Sequence, residues 1–145
     1  MSQENVEVVR RMWEAFLGDD PMRGLLLCDP DIEWDGTNLP DGELARGHQA
    51  MVDHVMRWAE MWDDWKVEPD RFIDAGADQV VVVFREVGRS ASGLQMDELH
   101  AELYTVLDRK VVYRKGFSDP AEGLEAAGLS EYAMSQENAG DATQM

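Results

Sequence analysis

VVVVFREVGRSASGLQMDELHAELYTVLDRKVVYRKGF, Val80 to Phe117, decides the fold because it reads as three strands in succession. Val80 to Phe84 is a continuous β-branched and aromatic run, as a central strand covered on both faces requires. Ser90, Ser92 and Gly93 then make a turn. Leu94 to Leu107 is long enough for one bent strand, Asp108 and Arg109 mark a tight hairpin, and Val111 to Phe117 is the last strand. Just upstream, Val67 to Ile73 alternates loosely and stops at Ala75, Gly76 and Ala77, which adds a fourth strand to an antiparallel meander.

The chain before the meander has a helical period. Ser2 can cap a helix in which Val6, Val9, Met12, Trp13, Phe16 and Leu17 recur at helical spacing until Gly18. Asp20 and Pro21 open a short second helix through Leu25, Leu26, Leu27 and Cys28, broken by Asp29 and Pro30. A short strand at Ile32 to Trp34 and a loop from Asp35 to Ala45 follow. From Gly47 a third helix carries His48, Met51, Val55, Trp58 and Trp62 on one stripe. A final short helix runs from Pro120 to Ala127, closed by Gly128. Helices first and strands afterwards predict an α+β fold with the helices on one face of a curved sheet. Residues 1–129 read as one domain and 130–145 as a polar, disordered tail. The pentapeptide MSQEN at Met1 to Asn5 recurs at Met134 to Asn138, as the stub of a duplicated neighbouring module would.

Composition narrows the partners. Thirteen Lys and Arg against thirty Asp and Glu give a net charge of -17, which repels both a polyphosphate backbone and an anionic membrane. With one cysteine, no basic-then-apolar leader and no apolar stretch near the length of a membrane span, the sequence is expected to be a soluble, cytoplasmic, reduced protein. Three histidines without the short spacing of a metal motif point to no metal site.

Four strings occur in order: SQENVEVVRRMWEAF at Ser2 to Phe16, DPDIEWDG at Asp29 to Gly36, RGHQAM at Arg46 to Met51, and SDPAEGLEAAGL at Ser118 to Leu129. In these the chain resembles the SnoaL-like branch of the nuclear transport factor 2-like superfamily across residues 2–129. The resemblance implies a cone of about three N-terminal helices packed on a strongly curved, mostly antiparallel sheet that encloses one pocket, with homodimers pairing through the outer face of the sheet. It leaves chemistry open, since that superfamily includes ketosteroid isomerases, polyketide cyclases, dehydratases, epoxide hydrolases and non-catalytic binding modules. It also places Trp34 where the isomerases carry a carboxylate base, and strand alternation turns Asp31, Glu33 and Asp35 away from the side that Ile32 and Trp34 share.

The candidate chemistry lies on Leu94 to Leu107, where His100, Glu102, Tyr104 and Val106 share one face, with Glu98 in line. If that face is the concave wall of the pocket, His100 is the acid or base, Glu102 orients it and Tyr104 donates a hydrogen bond. If it is the outer face, these groups meet solvent or a second copy. His48, at the start of the third helix, sits at the pocket mouth or points to water, and His54 lies off the apolar stripe and is expected in solvent. Trp13, Phe16, Trp34, Trp58, Trp62, Tyr104, Tyr113 and Phe117 are expected to converge on the interior, most of them as core; Trp13, Phe16, Trp34, Trp58 and Tyr113 are the candidates to line a ligand site, with Trp34 and Trp58 foremost. Two functions stay open at this point. One is a cofactor-independent acid/base enzyme (cyclase, isomerase, dehydratase or hydrolase) acting on a small apolar cyclic molecule, and the other a non-catalytic ligand-binding or dimerisation module. A protein scaffold is a third, and would need an exposed apolar groove on the sheet.

Overall fold

The structure, a computed structural model, describes residues 2–37, 39 and 42–129; the expected tail and the second MSQEN lie outside the described residues, as does Met1 of the first. Helix α1 (Ser2–Phe16) buries Val6, Val9, Met12 and Trp13, the face that their spacing predicts. The second helical segment, Pro21–Leu27, is a 3-10 helix, a single tight run whose Gly24 lies against the Phe16 ring. A Cβ at Gly24 would come within 2.9 Å of that ring, so the close approach requires glycine.

Strand β1 (Cys28–Asp35) begins earlier than the Ile32 to Trp34 expectation, since Asp29 precedes a proline and is biased to extended backbone. The expected loop from Asp35 contains a three-residue strand, β2 (Leu44–Arg46), paired antiparallel with β1. Helix α2 (His48–Glu60) stops before Trp62, which opens β3 (Trp62–Gly76) instead of closing the helical stripe. Strands β4 (Gln79–Ser90), β5 (Gln95–Leu107) and β6 (Lys110–Phe117) follow, and α3 (Pro120–Ala126) starts from Asp119, whose side chain accepts a hydrogen bond from the Ala121 N–H at 3.0 Å.

The sheet order is β2-β1-β6-β5-β4-β3, with β1 and β6 parallel and every other pair antiparallel. The edge position of β3 explains how it carries Pro69: the register shifts between Pro69 and Arg71, and a proline costs least where no outer strand needs its missing N–H. Asp108 and Arg109 adopt φ of 50° and 64°, the positive pair of a two-residue hairpin that matches the strand twist.

Two cores flank the sheet. Val80, Val82, Phe84, Tyr104 and Val106 face α1 together with Ile32 and Met51. Val81, Val83, Ala101, Leu103 and Phe117 face α3 through Leu124. The last helix therefore lies on the outer face, opposite the first two, so the expectation of all helices on one face holds only for the N-terminal ones. No helix among the described residues is long and apolar enough to cross a membrane.

Candidate functional site

The period of two that sends valines to both cores also sends Glu86 to the concave side, two positions beyond Phe84. Pairing carries the same side across the sheet: Phe84 lies opposite His100, Val82 opposite Glu102, Tyr104 opposite Arg114, and Arg114 opposite Trp34. A curved, largely apolar wall thus holds two buried polar clusters.

The first centres on Glu86, whose side chain is 7% exposed. Its Oε1 accepts from His100 Nδ1 at 2.8 Å, and its Oε2 accepts from the indole N–H groups of Trp58 at 2.6 Å and Trp65 at 2.7 Å. Burial pushes the Glu86 carboxyl up, but these three donors outweigh it and hold it below the usual carboxylate range. In return Glu86 raises His100, against the opposing effect of burial and with help from Glu98. His100 is thereby favoured as an imidazolium near neutral pH. Its second nitrogen, Nε2, meets Glu98 at 3.1 Å, and that carboxylate's side chain is 64% exposed.

The second cluster runs inward. Trp13 Nε1 donates to the Tyr104 hydroxyl at 3.0 Å, Tyr104 donates in a short bond to Glu102 Oε1, and Arg114 Nη2 donates to Glu102 Oε2 at 2.6 Å. Burial and then the neighbouring Glu102 push the Tyr104 phenol far above its ordinary value, so Tyr104 stays a donor. The Arg114 guanidinium lies 4.4 Å over the Trp34 ring, and Trp34 lies against His54, ring centres 5.1 Å apart. His54 Nδ1 and Arg57 Nη2 both reach Glu43, at 2.8 Å and 2.5 Å, which carries the chain of contacts to the surface.

His100, Glu102 and Tyr104 therefore share the concave side but do not form one group. Glu102 holds Tyr104 and Arg114, and Glu86 takes the place beside His100 that the sequence reading gave to Glu102. Trp13, Phe16, Trp34 and Trp58 also lie on this side, Phe16 packed against its core. His48 donates from Nε2 to the Cys28 carbonyl at 3.0 Å, which fixes the start of α2 to β1. The placement of Tyr113 and Phe117 is a correction: Phe117 packs in the outer core with Leu124, and Tyr113 pairs with Thr105 and Glu33 on the outer side, its hydroxyl donating to Asp35 at 3.0 Å. Burial and that carboxylate push its phenol up to about 12. His54 is a second correction, since it is 7% exposed rather than solvated. Cys28 is buried, and desolvation pushes its thiol up to about 11, away from nucleophilic chemistry.

Glu86, Trp65 and Arg114 are the site neighbours that sequence reasoning missed. Extending the alternation of Val80, Val82 and Phe84 by two residues would have found Glu86. Among the described residues no group of three or more His, Cys, Asp or Glu side chains is placed to hold a metal.

A curved mixed sheet with helices in its concavity, and buried titratable groups between them, is the nuclear transport factor 2-like cone. A family model of the SnoaL-like domain matches residues 9–126, and the chain belongs to that family. Solved structures agree with this. A nuclear transport factor 2-like protein from Burkholderia thailandensis is 27% identical, with 80% of this chain and 91% of that one covered and a TM-score of 0.71. Another from Burkholderia xenovorans is 28% identical, with 88% and 97% covered and a TM-score of 0.66. A protein from a Jannaschia species, described as a putative SnoaL-like polyketide cyclase, is 20% identical, with 81% and 87% covered and a TM-score of 0.70. No curated protein matches the chain.

Proposed function

We propose that the concave face binds a small, flat, apolar cyclic molecule and that the protein is a cofactor-independent acid/base enzyme of the cyclase, isomerase, dehydratase or hydrolase kind, with His100 as proton donor. The observation that carries this reading is the asymmetry of the two contacts to His100. Buried Glu86 fixes Nδ1 and favours the charged form of the ring, whereas Nε2 is capped only by the exposed Glu98, which can swing into water. A substrate oxygen that replaces Glu98 receives the Nε2 proton as negative charge develops on it, and Glu86 stabilises the charged ring before transfer. Trp13, Phe16, Trp34 and Trp58 supply the apolar surface, and the Glu102 and Tyr104 pair a fixed polar floor. The description of the Jannaschia relative as a polyketide cyclase is in keeping with such a substrate.

A second reading, a non-catalytic binding module, rests on a specific observation: Trp34 stands where the resemblance puts the isomerase base, and Glu102 is fully engaged by Tyr104 and Arg114. NMR titration of His100 in wild type and in Glu86→Gln, with a panel of flat cyclic ketones and alcohols, separates the readings. The enzyme reading expects a pKa above about 6.5 that falls in the variant and moves again when a ligand binds. A His100 pKa indifferent to ligands that do bind leaves the module reading; binding by none of them removes both. In either reading we place a second copy of the chain on the outer face of the sheet.

A further inference from the structure

Five residues other than glycine hold a positive φ among the described residues, and four of them, Ala77, Asp78, Asp108 and Arg109, form the two-residue turns of the β3–β4 and β5–β6 hairpins. Asp64 is the fifth, with φ 53°, and it lies inside β3. That conformation is strained for a residue with a side chain, and the Asp64 side chain does not offset it: its contact to Arg89 is 3.5 Å long, with the Asp64 side chain 81% exposed. Register shows what the strain achieves instead. Trp62 stands opposite Ser90 and Asp63 opposite Arg89, but Lys66, not Trp65, stands opposite Val87, so β3 carries one extra residue at this point. Without it Trp65 would take the place opposite Val87 and point to the outer face, since residues three apart on a regular strand lie on opposite sides. With it Trp62 and Trp65 share the concave side, and the Trp65 indole N–H reaches Glu86 Oε2 at 2.7 Å.

That contact bears on His100. A carboxylate held by an imidazole alone can turn about its last bond, offer either oxygen, or leave the ring for water. Here Oε2 is gripped from two sides, by Trp58 of α2 at 2.6 Å and by Trp65 of β3, and Oε1 is left for His100 Nδ1 at 2.8 Å. Trp58 comes from a helix of which only Met51 and His54 are buried, whereas Trp65 comes from the sheet itself. We infer that Trp65 is a positioning residue for His100: the bulge at Asp64 sets its N–H on Glu86, the carboxylate is fixed by it, and the carboxylate in turn fixes the imidazole with Nδ1–H inward and Nε2–H outward. This role rests on the proton-donor reading of His100, and it supplies the reason why Nε2 is the nitrogen that gives up the proton. The charged groups at the ring are Glu86 from β4 and Glu98 from its own strand, and Phe84 of β4 stands on a third side with its ring centre 5.9 Å away.

Two NMR readings on the whole chain test this role: the titration of the Glu86 carboxyl and the exchange of the His100 Nδ1 proton with water. Trp65→Phe, which keeps a ring and removes the N–H, is expected to raise the Glu86 carboxyl by about half a pH unit or more and to speed the exchange about tenfold. Asp64→Val and Asp64→Gly both lose the contact to Arg89, but only valine resists a positive φ. Asp64→Val should therefore repeat the Trp65→Phe result, and Asp64→Gly should match wild type. Phe72→Leu, on the same strand and the same side but away from the bulge, should leave both readings at the wild-type values. A Trp65→Phe protein with both readings unchanged makes Trp65 a space-filler and overturns the inference, while His100 stands as the donor. Asp64→Gly failing as Asp64→Val does, or Phe72→Leu failing with them, overturns it too, because the loss then follows from a loosened strand. Where Asp64→Val does not fold, Trp65→Phe and Asp64→Gly decide. A wild-type His100 whose signals ignore every ligand that binds removes the proton-donor reading, and the role of Trp65 in it falls at the same time.

Discussion

Glu102 shows how much a single residue of this wall carries. Its two oxygens accept from groups that differ in charge, the Tyr104 phenol and the Arg114 guanidinium, and its side chain is 7% exposed. Glu102→Gln keeps the shape but turns an NH2 group toward one of those donors and leaves Arg114 with no counter-charge in a buried place. Unfolding in urea should show a loss of about 3–5 kcal/mol, the range for removing one member of a buried ion pair. A loss under about 1 kcal/mol, as for an exposed pair, would mean that water reaches the cluster. The sequence disclosed only half of this arrangement. Alternation along β5 put His100, Glu102 and Tyr104 on one side, but which carboxylate meets which partner depends on register across strands far apart in sequence. Arg114 reaches Glu102 through the β5–β6 pairing, and Glu86 reaches His100 through β4–β5; neither contact leaves a mark in local spacing. Tyr113 was misplaced for the related reason that the register shifts between Thr105 and Val106, which changes the side on which a residue of β6 emerges.

Elements were more legible than contacts, because each writes its own period. The meander from Val80 to Phe117, α1, and the capped turn into α3 follow from hydrophobic spacing and turn residues. What did not follow was decided by neighbours: β2 is three residues long and exists only by pairing with β1, and Trp62 continues the helical stripe in sequence yet pairs with Ser90 in the sheet. The face that α3 chooses was also hidden, and it hangs on one small residue. A Cβ built at Gly123 would lie 2.9 Å from the Ala101 Cβ and 3.4 Å from the Phe117 ring, so the helix can approach the strand only as glycine. Since Gly123 has no positive φ to protect, alanine costs nothing in the backbone and even favours the helix by about 0.5–1 kcal/mol. Ala101 sits on a central strand and cannot step aside, so Gly123→Ala should still destabilise by about 1–3 kcal/mol in denaturant unfolding, while Glu122→Ala on the exposed side of α3 stays within about 0.5 kcal/mol of wild type. A stabilised Gly123→Ala would show that α3 does not pack on Ala101 as described.

At the scale of the molecule, charge governs what two copies can do. A net charge of -17 makes any two copies repel, yet the cations are not spread evenly. Lys66, Arg71, Arg85, Arg89 and Lys115, five of the thirteen, all lie by register on the outer face of the sheet, where Glu68 stands opposite Arg85 and Asp97 grips Arg85 in two bonds of 2.7 Å. That face is locally near balance in an acidic molecule, and Leu99 and Leu107 are 48% and 49% exposed on it. It is therefore the place where a second copy meets the least repulsion and buries apolar surface, and the homodimer proposed here pairs through it. Two terms then compete. Contact at the face is short-ranged and indifferent to salt, whereas the repulsion between the remaining surfaces acts over the Debye length, about 30 Å at 0.01 M and about 3 Å at 1 M salt. Sedimentation equilibrium should accordingly find a dimer that tightens by at least about tenfold between low and high salt across that range. Leu99→Glu, which sets a charge on a part of the face that α3 leaves exposed without touching either core, should give a folded monomer at both salts. A monomer throughout in wild type, or a Leu99→Glu dimer as tight as wild type, would remove the outer face as the interface.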